Sequence, residues 1–163
     1  MTMPRELESF RMTFKKSLFS ILAAGVLVTS AGIASASEND ITYRKSVMKS
    51  IGGHMKAMSL IVKGEAGDMK DLGTHATAMA GLAKAAATAF PKESSAMDGK
   101  TEALMAVWEK PEDFKKVTMA FIAEADKLTA AVQSGDKGAI GAQLGELGKN
   151  GCKACHDNFR EKK

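Results

Sequence analysis

The tightest constraint on this chain sits near its end, in Cys152-Lys153-Ala154-Cys155-His156, a C-x-x-C-H run holding the only two cysteines among 163 residues. Two thiols followed at once by an imidazole are what covalent haem attachment requires, because each thiol adds to a porphyrin vinyl group while the histidine nitrogen binds the iron. On a helix, Cys152 and Cys155 stand one turn apart, and His156, four residues after Cys152, stays on the same general face. A thioredoxin-like redox pair would want a βαβ setting, and a closed zinc site a further Cys or His pair; neither is legible. A plain disulfide stays open for an exported chain, although the adjacent histidine and helical surroundings speak against it.

Export is written at the other end. Lys15-Lys16 forms a small basic region, residues 18–33 an apolar run softened by Gly and Ser, and Ala34-Ser35-Ala36 an A-x-A cleavage site. Residues 1–36 therefore read as a signal peptide, with residues 1–11 as an extension upstream of Met12, and residues 37–163 as one folded domain. The run is short and rich in small residues for a membrane-spanning helix, so no stable insertion is expected after processing, with an uncleaved anchor as the alternative. Cleavage would remove Arg5, Arg11, Lys15, Lys16, Glu6 and Glu8, lowering the formal net charge from +4 to +2. No basic stripe with interleaved aromatics remains, which excludes a nucleic-acid partner.

Between these ends the chain is Ala- and Met-rich with few β-branched runs, which favours helix. A first helix is predicted over about 41–62, N-capped by Asn39 or Asp40, with Ile41, Met48, Ile51, Met55, Met58 and Val62 on one face. Gly52-Gly53 inside it implies either a bend or a close approach to the backbone. A second helix is predicted over 68–90, capped by Asp68 and stopped by Pro91, with Met69, Leu72, Met79, Leu82, Ala86 and Phe90 inward. Residues 92–110 read as a long crossover with one short helix near 101–107 and with Trp108 as a partly buried anchor. A third helix opens at Pro111 with Glu112 and Asp113 in its first turn, carries an apolar stripe from Phe114 to Val132, and ends at Gly135. A fourth runs from Asp136 to about Arg160, its early half bared by Gly138, Gly141, Gly145 and Gly148 for close approach of a helix or a porphyrin. Four amphipathic helices with one long crossover make an all-α, antiparallel four-helix bundle the natural architecture.

With these features in place the sequence resembles the class II c-type cytochromes, the cytochrome c prime family with its low-spin, methionine-ligated relatives. The resemblance covers residues 37–163. It rests on the C-terminal Cys152 to Arg160 run, on Tyr43-Arg44 and Val62-Lys63-Gly64 bounding the first helix, and on Lys110-Pro111-Glu112 opening the third. It implies a periplasmic left-handed bundle carrying one haem c, covalent through Cys152 and Cys155, with His156 on the iron. The fourth residue after the Tyr-Arg arginine faces the distal side in that family, and here it is Met48, which would complete His/Met ligation of low-spin iron. Arg44 is then placed to pair with a propionate, with a solvated arginine as the alternative. Phe159 is expected beside the proximal face, and Arg160 near the proximal histidine. Met55 lies two turns from Met48, about 10 Å along the axis, so the two cannot serve one iron. His54 and His75 are read as surface or core histidines rather than haem ligands.

Saturated His156/Met48 ligation would make the chain an electron carrier meeting transient redox-partner proteins. No acid–base or nucleophile–base constellation argues for an enzyme. The alternative is a five-coordinate haem protein that binds nitric oxide or carbon monoxide in an apolar distal pocket, with Met48 as packing rather than ligand. Family dimers form through the first two helices, so a homodimer of that kind stands open beside a monomer.

Overall fold

The computed structural model describes residues 30–162 apart from residue 96, and side chains from residue 37 onward apart from residues 93 and 96. Most of the expected signal peptide lies outside the described residues. Residues Gly32–Lys163 form one compact unit.

Four long helical arms make the bundle. The first, α1 (Ser30–Lys63), begins well before the predicted start, so Asn39 and Asp40 lie within the helix instead of capping it. The Ala- and Ser-rich residues before them contain no proline to stop helix propagation. Its C-terminus closes at Gly64, whose φ is 75°. There Glu65 N–H donates to Leu60 C=O and Gly64 N–H to Ile61 C=O, a Schellman closure that needs a residue tolerant of the left-handed region. The helix runs unbroken through Gly52-Gly53, and no protein atom makes the close approach: a β-carbon at either would meet nothing within 4 Å.

Asp68 caps a short 3₁₀ turn (Met69–Asp71) by accepting from Lys70 N–H at 3.0 Å, and α2 (Leu72–Ala87) follows. Leu72, Ala76, Met79, Ala83 and Ala86 are its buried face, while Met69, expected inside, is exposed. The crossover contains a 3₁₀ turn (Lys92–Ser94) and the short α3 (Ala106–Glu109), later than predicted. Residues 101–104 instead run alongside the chain end: Leu104 N–H donates to Phe159 C=O, Glu161 N–H to Glu102 C=O, and Ala103 bridges Arg160. Trp108 is the anchor expected, its indole N–H donating to Pro91 C=O at 3.0 Å.

The third arm, α4 (Pro111–Ser134), matches its prediction from the first-turn proline to Gly135, whose φ is 73°. The fourth arm is one rod in three pieces: α5 (Lys137–Glu146), a π-helical segment (Leu147–Lys153) and α6 (Ala154–Phe159). Asp136 caps it by accepting from Gly138 and Ala139 N–H groups at 2.8 and 3.1 Å. The main core joins all four arms, for example through Met58, Met79, Leu128 and Leu147. A second cluster of Val107, Phe114 and Phe159, with Phe90, Trp108 and Cys155 packed on it, closes the crossover end.

Candidate functional site

A cavity of about 1020 Å³ opens in the bundle, lined by α1, by α4 and by the fourth rod. That is at the upper end of the roughly 300–1,000 Å³ usual for ligand pockets. The sequence-predicted residues Arg44, Met48, Cys152, Cys155, His156 and Phe159 all line it. The two thiols mark the junction of the cores, Cys152 packing on the main one and Cys155 on the second. Both cysteines are free and half-buried.

The backbone under the motif differs from the regular helix expected. Cys152 lies on the π segment and Cys155 and His156 on α6, so the register between them is shifted from ideal α spacing. The π segment is also where the rod packs closest to α4. A β-carbon at Gly151 would stand 2.8 Å from Phe121 Cδ2 and 3.4 Å from Phe121 Cα, so the rod is pressed onto α4 there.

Burial pushes the Cys152 thiol up, and burial with the neighbouring Cys152 pushes Cys155 up to about 11. Catalytic redox cysteines show the reverse, a lowered pKa that exposes a thiolate. Burial first and the Arg160 charge second lower the His156 pKa, against opposing pulls from Asp157 and Glu102. This favours the neutral imidazole, the form that ligates metal. Among the described residues no group of three or more His, Cys, Asp or Glu side chains gathers as a closed metal site would require.

The aromatic wall is ordered by edge-to-face contacts. Phe159 meets Phe114 at 5.2 Å and Phe114 meets Phe90 at 4.8 Å between centroids. Met48 and Met55 both line the cavity and pack on the main core, and Met55 Cε sits 3.4 Å from where a β-carbon of Gly148 would stand.

Arg44 is 3 % exposed and turned into the crossover. Its guanidinium donates to Ala89 C=O (3.3 Å), Ser94 Oγ (2.7 Å), Ser94 C=O (2.9 Å) and Thr101 Oγ1 (2.9 Å). It also lies 4.8 Å over the Phe90 ring and 5.9 Å from that of Trp108. Burial lowers its pKa and Asp40 opposes that shift. These partners lie 45–57 residues away, and nothing local in the sequence announces them. His54 Nδ1 and His75 Nδ1, on separate helices and with no sequence signal linking them, meet at 2.8 Å.

The residues present suit a flat, largely apolar group attached at Cys152 and Cys155. Gly52 and Gly145 line the cavity, and a β-carbon at either would meet no protein atom within 4 Å, so the space beside them is left for something other than the chain.

Comparison with known proteins agrees. Cytochrome c′ of Pararhodospirillum photometricum is 40 % identical over 121 residues, 74 % of this chain and 95 % of that one. Cytochrome c-556 of Agrobacterium tumefaciens (strain II Chrys) is 34 % identical over 125 residues, 76 % and 98 % of the two chains. The structure of cytochrome c prime from Alcaligenes xylosoxidans, a ferrous variant with bound NO, superposes with a TM-score of 0.71 at 29 % identity, covering 78 % of this chain and 97 % of that one. The sequence profile described as Cytochrome C′ matches residues 39–160. The chain therefore belongs to the cytochrome c′ family of four-helix-bundle proteins with one haem c bound covalently through the cysteine pair, here Cys152 and Cys155.

Proposed function

We propose that this chain is an exported haem protein that binds a small diatomic gas, nitric oxide or carbon monoxide, at a haem held by His156 and covered by Met48. The observation that carries this reading is the apolar middle of the α1 wall, Met48, Ile51, Gly52 and Met55, which offers a ligand no acid, base or hydrogen-bonding side chain; the polar α1 residues of the lining lie before it (Arg44, Lys45) and after it (Lys56, Ser59, Lys63). The nitric oxide complex of the Alcaligenes relative supports it. Haem c, when bound, supplies an iron able to take up such gases or to exchange single electrons.

The chain's own residues divide the remaining work. Cys152 and Cys155 tether the group, and His156 offers a neutral ring nitrogen. Phe159, fixed against Phe114, gives a rigid apolar neighbour on the His156 helix. Met48 is flexible and apolar, so it excludes water from the opposite side and yields to a diatomic molecule.

A second reading is a His156/Met48-ligated electron carrier serving transient redox proteins. It is favoured by the position of Met48 on the cavity wall. Absorption spectra of the oxidised and reduced protein separate the two. The gas-binding reading expects high-spin spectra and a Soret shift of the reduced protein under carbon monoxide. Low-spin spectra indifferent to carbon monoxide would establish the carrier instead. Export is tested by N-terminal sequencing of the protein recovered from the periplasm, which should begin at Ser37.

A further inference from the structure

We infer that His54 on α1 and His75 on α2 form a second metal site, a two-histidine clamp for Cu(II) separate from the haem cavity. The two Nδ1 atoms converge to 2.8 Å across the helix pair, with the rings edge-on at 67°. Neither residue lines the cavity, and both are partly exposed. Gly53, directly before His54, is exposed and has no neighbour within 4 Å of a β-carbon position, so the approach is open on that side.

The separation selects the metal. With metal–nitrogen bonds of about 2.0–2.1 Å, nitrogens 2.8 Å apart subtend about 84–89° at the ion, the angle between adjacent ligands of a tetragonal site. A tetrahedral ion such as Zn(II) would want them about 3.3–3.4 Å apart, which needs the helices or rings to part. Tetragonal nitrogen–oxygen sites belong to Cu(II) or Ni(II), and the Irving–Williams order places Cu(II) highest.

In the metal-free pair one Nδ1 carries a proton and the other accepts it. On metal binding the donor ring moves that proton to its own Nε2 and both rings turn, so that the Nδ1 lone pairs swing from the hydrogen-bond axis onto the ion and no proton is lost. Because no third His, Cys, Asp or Glu joins the pair among the described residues, water fills the other positions. The ion would cross-link α1 to α2 and stabilise the folded chain by mass action.

The test is calorimetric titration of the haem-loaded protein with CuCl₂ and, separately, ZnCl₂ in a non-coordinating buffer, with thermal unfolding followed in parallel. One Cu(II) per chain is expected, bound at least tenfold more tightly than Zn(II), with a rise in Tm. His54→Gln and His75→Gln should each weaken Cu(II) binding at least tenfold and erase the Tm rise while leaving the Soret spectrum unchanged. Variants that bind Cu(II) as tightly as the wild type would overturn the assignment. Should either variant fold poorly, substoichiometric Cu(II) must selectively broaden the amide signals around both His54 and His75 in the wild type; broadening elsewhere alone would equally overturn it.

Discussion

Gly151 lies so close to Phe121 that a β-carbon on it would stand 2.8 Å from the ring and 3.4 Å from the Phe121 backbone. The ring is buried in the main core and cannot turn away without disturbing its neighbours there. Gly151→Ala should therefore destabilise the protein by about 1–2 kcal/mol, the overpacking cost exceeding the gain in helix propensity. Gly53→Ala meets open space within the regular α-helix α1 and should stabilise by about 0.5–1 kcal/mol. Urea unfolding of both variants checks the opposite signs.

Arg44 holds the crossover to α1 by four hydrogen bonds and by stacking over Phe90. Arg44→Ala removes donors from several oxygens at once and should cost about 2–4 kcal/mol. Arg44→Lys keeps the charge but not the planar fork, so it should recover less than half of that loss. Limited proteolysis is the companion measurement: both variants should be cut within residues 92–101 well before the wild type.

Glu124 fastens α4 to α5, accepting from Gln143 Nε2 at 2.6 Å and pairing with Lys127 at 2.8 Å. The Lys127 hydrogen bond first, and Gln143 second, hold its carboxyl below the ordinary value of 4.5. A carboxylate with a lowered folded-state pKa stabilises fully above its unfolded value and loses that contribution as pH falls through the folded one. Glu124→Gln should thus cost about 0.5–1 kcal/mol at neutral pH. The gap should begin closing below about pH 4.5. Urea unfolding of both proteins at pH 7 and at pH 3 checks this.

The bundle was legible because its arms are bounded by local chemistry that the structure reproduces: Asp136 capping, Pro111 in a first turn, and Gly64 and Gly135 at positive φ. Of the cavity residues, Cys152, Cys155 and His156 were legible from the C-x-x-C-H run, whereas Met48 and Phe159 were placed at the site by the resemblance to the family. What stayed hidden depends on contacts between distant segments. The π segment packs against Phe121 at Gly151, a contact between residues thirty apart in the chain. The crossover partners of Arg44 and the meeting of His54 with His75 arise only once the helices have docked. The upstream extension of α1 failed for the opposite reason: Asn39 and Asp40 look like caps, but a cap residue does not end a helix whose preceding residues also propagate it.

In the proposed function Met48 would shield the haem iron without bonding to it. The most direct measurement is the ferric spin state, read from the absorption spectra of the wild type and Met48→Ala. Both proteins should be high-spin, and the reduced Met48→Ala protein should bind carbon monoxide more tightly than the wild type. A low-spin wild type with the weak long-wavelength band of a thioether–ferric bond, lost when Met48 becomes alanine, would contradict the account.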